Sequence, residues 1–466
     1  MPQPIHSVSR IQRKDRLEPK RTGEFEALVD RPTQNQVKNH EKYGREEKIK
    51  PPRSSAIIVG VQMPDSPLTE VQEGLDELSA LLSTLGVQTL SRVIQKRHKL
   101  SPSLLIGEGK IQEIKQMACD AGASCIVIDH ILTGVQHRNL EQLTGCEVLE
   151  RSQVILDIFS KHARTNQAKT QVEIAQLEYM MPRLVKAWTH FHRQAGGGVH
   201  SRGMGETQIE IDRRRARDRI HRLQKKLEQI RKEKQTQRKS RQNELKVSLV
   251  GYTNSGKTTL MNALTHCSAQ GHSNLFATLD TTVRTLDPNT RPVILMSDTV
   301  GFIKKLPHSL IESFKTTLEE AVQANLLLHV IDVSHENYKQ QMEATDLVLE
   351  EIGVSHTPRL LIFNKMDQLD EPFLESILQK KYPGSLAISA RKPEDILRLR
   401  AHVLRFFDDQ FAKMELLIPG LAKEQLSLVY ANCLVLREEY QEDGSVALFV
   451  KGPKPILSKL TAYQAM

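Results

Sequence analysis

No stretch of this 466-residue chain approaches the ~20 consecutive apolar residues of a membrane span, and its N-terminus has no apolar core behind the charges. A soluble, cytoplasmic protein is expected. Cysteine is scarce. Cys119, Cys125, Cys146, Cys267 and Cys433 are scattered without C-x-x-C spacing, which argues against a disulfide framework and against a zinc site. Residues 1–53 lack hydrophobic periodicity and are polar and basic. They read as a mostly disordered tail, whose basic excess could touch RNA but is more simply solvated. The length exceeds one ordinary domain, since ~100–200 residues per domain suggests about three.

What is present begins with GYTNSGKT, directly after the apolar run KVSLV, and DTVG, NKMD and SA follow it in order. In Gly251, Tyr252, Thr253, Asn254, Ser255 and Gly256 we read a loop between a strand and a helix. Its backbone N–H groups point inward at phosphate, with the two glycines permitting the dihedrals and the close approach. Lys257 would neutralise the β and γ phosphates, and the Thr258 hydroxyl would take one position on an octahedral Mg²⁺. Asp298, after PVILMS, is placed to hold that metal through water. Thr299 and Val300 lead to Gly301, whose N–H would sense the γ phosphate.

Phosphate motifs leave ATP and GTP open. Asn364, Lys365, Met366 and Asp367 decide for GTP, because a buried carboxylate that accepts two guanine N–H bonds would be left unpaired by adenine, a discrimination of about 10⁴-fold or more. Ser389 and Ala390, after the strand-like SLAI, resemble the last guanine element. Phe276, Ala277, Thr278, Leu279 and Asp280 form the candidate switch. Thr278 is the first choice to complete the Mg²⁺ shell, with Thr281 and Thr282 as rivals. Phe302 stands where many regulatory G proteins carry a water-orienting glutamine, so slow intrinsic hydrolysis, accelerated by a partner, is expected.

The fold class expected is α/β: a P-loop G domain over 245–408, preceded by a small parallel α/β domain over 54–160 and a helical hairpin over 161–244, and followed by a small α+β module over 409–466. In 54–160, apolar runs such as SAIIVGV and SCIVID alternate with helical stretches. There IGEGK at 106–110 reads as a structural turn or as a ligand or RNA contact. In the hairpin, Ala216, Ile220, Leu223, Leu227 and Ile230 show coiled-coil spacing, and Ala168, Val172, Ala175 and Tyr179 repeat it upstream, so the two helices are expected to pair. Five glycines between Gly196 and Gly205 predict a long flexible tip, and Pro182 a kink in the first helix. Residues 213–244 hold fourteen Lys and Arg against four Asp and Glu, an excess of ten where the whole chain carries +9. With Arg193, Arg202, Arg213, Arg214 and Arg215 this suits RNA phosphates, against the plainer reading of a solvated flank. In the last module, Asp443–Gly444 signals a hairpin, and no chemistry is evident.

The strings VEIAQLEYMMPRL, RQAGGGVHSRGMGETQIEIDRRR, GYTNSGKTTL, FATLD, DTVGFI and NKMD together resemble the HflX family of translational GTPases, from about Ser54 to the C-terminus. The chain departs at Thr281, often proline in the family, and at Glu150, Arg151 and Ser152, where the family has DRT. The resemblance implies a ribosome-associated, Mg²⁺-dependent GTPase, monomeric, that binds the large (50S) subunit with its glycine-rich tip toward the peptidyl-transferase region. It implies splitting of stalled or idle 70S ribosomes under stress such as heat. A GTP-dependent RNA-binding factor in large-subunit maturation is the alternative, and a switch with a protein effector a third reading.

Overall fold

A computed structural model describes residues 53–183, 202–239, 244–265, 275, 276, 278, 280–287, 290–304, 319–354, 356–371 and 373–464, with residues 202–209, 212 and 234–239 as backbone only. Arg193, Ala277, Leu279, the tail at 1–52 and most of the glycine-rich stretch lie outside these residues.

The alternation read in the first half becomes β1 (Ser55–Gln62), α1 (Leu68–Leu85), β2 (Gln88–Lys96), α2 (Glu108–Ala121), β3 (Cys125–Ile128), α3 (Gly134–Thr144) and β4 (Glu147–Glu150). The four strands pair in parallel in the order β2-β1-β3-β4. β3 is buried at every position, because helices cover both faces of the sheet; that is why its sequence is continuously apolar rather than alternating. In the IGEGK segment, Gly107 is the N-cap of α2 and its N–H donates to Gln95 Oε1 at 2.9 Å. Its amide is thereby used inside the fold, as a structural turn requires.

Helix α4 (Arg151–His162) lies against α1 and leads through a short corner into α5 (Asn166–Met180). The hairpin partner is α6 (Arg202–Lys239). Two expectations need correcting here. Ala168, Val172 and Ala175 do not face α6; they are buried in the core built by β1, α1 and α4, while Ile174, Leu177 and Met181 meet Ile220, Leu223 and Leu227. Helix α5 is sandwiched between two partners, and the spacing of four residues does not say which partner takes which face. Gly203 and Gly205 lie within α6, their cost of about 1 kcal/mol each being too small to stop a helix this long. Helix α5 ends at Met180, and Pro182 stands in the turn that follows, with the residues beyond 183 outside those described.

The second sheet has the order β10-β9-β8-β5-β7-β6, from β5 (Leu245–Val250), β6 (Thr282–Thr285), β7 (Ile294–Asp298), β8 (Leu326–Asp332), β9 (Arg359–Asn364) and β10 (Leu386–Ala387). All pairings are parallel except β6 on β7. Helix α7 (Lys257–Leu264) follows β5, α8 (Tyr338–Glu351) and α9 (Leu374–Lys381) follow β8 and β9, and α10 (Pro393–Asp408) closes this part. The chain ends in an antiparallel sheet β11-β13-β12, from β11 (Phe411–Ile418), β12 (Leu434–Tyr440) and β13 (Val446–Pro453), with α11 (Lys423–Asn432) packed on it. Gly444, at φ 80°, makes the expected turn.

One buried charge cluster joins the two larger sheets. Arg151, at the start of α4, donates to Asp129 Oδ1 at 3.0 Å and to the Glu77 carboxylate, and Glu77 Oε1 accepts from the phenol of Tyr252 at 2.5 Å. Removing the guanidinium would take a buried ion pair from Asp129 and another from Glu77. Arg151→Leu is therefore expected to destabilise the N-terminal half by about 3–5 kcal/mol. Urea unfolding followed by circular dichroism should show its transition at lower denaturant, and Asp129→Asn in the Arg151→Leu background should recover part of the loss.

Candidate active site

The loop after β5 can close only because two residues lack a side chain. Gly251 has φ 147°, and a Cβ there would lie 2.2 Å from the carbonyl oxygen of Val330; Gly256 has φ 95°, and its Cβ would lie 2.3 Å from Asn364 Nδ2. Asn254 is also left-handed, at φ 61°. Ser255 N donates to Tyr252 O at 3.3 Å, and α7 starts immediately after Gly256, so its unpaired N–H groups face the loop's concave side.

Lys257 is only 6% exposed, and its ammonium donates to the carbonyls of Gly251 at 3.0 Å and Tyr252 at 2.7 Å. Burial pushes its pKa down to about 8, against the opposing pull of Asp298. Asp298, at the end of β7, is shifted the other way, upward, by the same burial. Its Oδ2 accepts from Thr258 Oγ1 at 2.7 Å and from Thr278 Oγ1 at 2.8 Å, and the two hydroxyl oxygens are 2.9 Å apart. With both hydroxyl protons on Asp298, lone pairs of the two threonines face each other. Asp298 Oδ1 is buried without a hydrogen-bond partner among the described residues. Oxygen lone pairs gathered this closely suit a small hard cation. Of the rivals, Thr282 is exposed on β6, and Thr281 makes no such contact among those found at Asp298.

Gly301 packs against the loop, where a Cβ would come 2.9 Å from Thr253 Cα and 3.1 Å from Lys257 Nζ. Phe302 exchanges backbone hydrogen bonds with the loop, N to Gly251 O at 3.1 Å and O from Thr253 N at 2.7 Å, while its ring is buried with Val250 and Leu327. It is part of the core and takes no place beside a phosphate. Thr299 donates to Leu249 O at 2.6 Å and Val300 is buried, so both side chains are structural.

Across a cavity of about 330 Å³ lie the base-side residues. Asn364 is 1% exposed and fully engaged: its Nδ2 donates to Ser255 O at 2.9 Å and its Oδ1 accepts from Ala390 N at 3.0 Å. It ties the phosphate loop to the SA element. Asp367 was expected to be buried, yet its side chain is 21% exposed and opens on the cavity. Its Oδ1 accepts from Ser389 Oγ at 2.7 Å, leaving Oδ2 with Arg391 at 3.7 Å. Lys365, at φ 68°, pairs with Asp332 at 2.6 Å, and Met366 N donates to Ile388 O at 3.2 Å.

Two expected nucleotide contacts turn elsewhere. The phenol of Tyr252 donates to Glu77 and accepts from Lys304 N at 2.7 Å, facing away from the cavity. Asp280 sends its carboxylate to Arg164 N, Thr165 N and the Thr165 hydroxyl. Phe276 does line the cavity. The sequence reading missed Thr259, Gln368 and Arg391, which also line it; each adjoins or lies one position from a motif residue, the one signal that pointed to them. Arg213, Arg214 and Arg215 lie on α6, the last two exposed.

A phosphate loop opening α7, an aspartate ending β7, and a base pocket beyond β9 and β10 define a guanine-nucleotide-binding P-loop GTPase, an enzyme class that uses its nucleotide with magnesium. Three family models match in succession: "GTP-binding GTPase N-terminal" over 72–160, "GTP-binding GTPase Middle Region" over 162–241 and "50S ribosome-binding GTPase" over 246–365. GTPase HflX of Gluconacetobacter diazotrophicus is 39% identical over 433 residues, 85% of this chain and 95% of that one; GTPase HflX of Escherichia coli K12 is 41% identical over 385 residues, 82% and 90%. The chain belongs to the HflX family of GTPases. A crystal structure of a GTP-binding protein from Sulfolobus solfataricus with GDP is similar at 26% identity, covering 76% of this chain and 98% of that one with a TM-score of 0.41. No helix among the described residues is long and apolar enough to cross a membrane.

Two outcomes follow from this geometry. Phosphate binds the charged form of Lys257, so above about pH 8 binding must take up a proton, and GDP affinity should fall there by up to tenfold per pH unit. Guanosine, lacking phosphate, should show no such fall in the same fluorescence titration. Gly256→Ala places a methyl on Asn364 in a left-handed conformation. It is expected to cost about 3 kcal/mol, some 100-fold in nucleotide affinity by calorimetry, with the chain still folded.

Proposed function

We propose that the chain is a GTP-driven switch that binds the large ribosomal subunit in the cytoplasm and splits stalled or idle 70S ribosomes under stress, with hydrolysis driving release. The observation that carries the ribosomal part is α6, a helix of 38 residues that carries most of the Lys and Arg of 213–244 and ends shortly before β5 of the nucleotide-binding sheet. A cationic face of that length matches a polyphosphate backbone, and its binding should be strongly salt-dependent.

In this reading Gly251–Gly256 and Lys257 cradle the phosphates, Asp367 selects guanine through its open carboxylate oxygen, and Asn364, Ser389 and Ala390 hold that pocket in register. Thr258 and Thr278 would hold Mg²⁺ directly and Asp298 through water. The ion, when bound, neutralises charge on the β and γ phosphates. Thr278 and Gly301 sense the γ phosphate, and their ordering selects the arrangement that binds the subunit. Phe302 supplies no water-orienting group, so the ribosome accelerates hydrolysis. Arg193, Arg202, Arg213, Arg214 and Arg215 contact rRNA, with the glycine-rich tip toward the peptidyl-transferase region.

Co-sedimentation with purified 50S and 30S subunits tests this. Binding should be specific to 50S, stronger with a non-hydrolysable GTP analogue than with GDP, and weakened at least ~100-fold between 50 and 200 mM salt. Gradient profiles of 70S ribosomes should show splitting with the analogue. Splitting that requires hydrolysable GTP would reverse the proposed order of events.

A further inference from the structure

Of the two side chains that face away from the cavity, that of Asp280 meets the start of a helix. The Asp280 carboxylate receives three donors from the start of α5: Arg164 N at 3.0 Å, Thr165 N at 3.1 Å, and the Thr165 hydroxyl. Thr165 is the N-cap of α5, and the same hydroxyl oxygen accepts from Ala168 N at 3.1 Å. The cap of the helix and the contact to Asp280 therefore share one atom. A carboxylate at this end also meets the positive end of the helix dipole.

On the other side of Thr278 stands a second anchor. The ring of Phe276 lies edge-on to Phe159 with centroids 4.7 Å apart, and its carbonyl accepts from His162 Nδ1 at 2.9 Å. Both anchors thus use the corner formed by residues 159–165. Thr278 is two residues from each, and two residues reach at most about 7 Å, so its hydroxyl cannot travel far from Asp298 while both hold. Beyond the corner, α5 packs through Ile174 and Leu177 onto Ile220 and Leu223 of α6.

We propose that Asp280 is a positioning residue, a latch through which closure of the Thr278 loop over the nucleotide is transmitted to α5 and so to the basic hairpin. The inference rests on the reading that Thr278 closes on GTP and that the hairpin meets the large subunit. Of the two anchors, Asp280 is the one the nucleotide can control. Phe276 is buried in the core of the N-terminal sheet, whereas the Asp280 contact is at the surface, polar and reversible.

The test uses the full chain carrying Asp280→Ala, Thr165→Val, or both. In titrations with fluorescent GTP analogue and GDP, Asp280→Ala is expected to weaken the analogue about tenfold relative to GDP, and Thr165→Val, which removes one of three donors, about threefold. The double variant should be no weaker than Asp280→Ala alone, because both changes open one contact. A residue needed only for folding would weaken both nucleotides equally; that result, or additive losses in the double variant, overturns the latch. Thr165→Val keeps the carboxylate and so still reports if Asp280→Ala proves unstable. In 50S co-sedimentation, the advantage of analogue over GDP should shrink about tenfold in Asp280→Ala. An unchanged advantage would overturn transmission to the hairpin. If the unaltered chain fails to bind 50S at all, the ribosomal reading fails, while the nucleotide titrations still decide whether the latch exists.

Discussion

The ammonium of Lys257 is the constraint around which the molecule is arranged. It is buried under two loop carbonyls beside a buried aspartate, in a place where a lone charge is costly unless paired. Holding it there demands a loop of unusual backbone, glycine at 251 and 256, and a brace behind it. Asn364 is that brace, reaching from the end of β9 to Ser255 and on to Ala390. One amide thus fixes phosphate and base elements relative to each other, so a nucleotide meets a preformed site and little binding energy is spent on ordering it.

The same loop is held from outside the nucleotide-binding sheet. Tyr252 projects away from the phosphates into the Glu77, Asp129 and Arg151 cluster, whose charges pair within the N-terminal sheet. The burial of Phe276 against Phe159 adds an apolar contact across the same boundary. Both the phosphate loop and the segment at Phe276 are consequently part of an interdomain interface. A movement of either would have to rearrange those contacts as well.

Much of the nucleotide site was legible because phosphate and guanine impose residue types that few other demands impose. Glycine at 251 and 256, the lysine and threonine that follow, and Asp298 gather at one loop, and Asp367 lines the cavity beside it. The alternating elements of the first half were legible for a different reason, since strands covered on both faces are continuously apolar. What was not legible were directions. Nothing in FATLD tells that Asp280 faces a helix N-terminus 115 residues upstream, nor in GYTNSG that Tyr252 points to Glu77. The spacing of Ala168, Val172 and Ala175 showed a buried face and could not name what buries it. Gly203 and Gly205 misled because a single-residue propensity of about 1 kcal/mol was weighed without the helix around it.

The directions of Tyr252 and Asp280 share a cause. Both side chains belong to the contact between the nucleotide-binding sheet and the part of the chain before it, and local pattern carries no information about such contacts. A motif specifies what a ligand needs, and so locates the site. The use made of the site depends on residues inside the motif that the ligand does not need. The side chains of Tyr252 and Asp280 bond to the neighbouring domain. In a switch built from a common nucleotide fold, those are the positions at which one family's output can differ from another's while the chemistry stays the same.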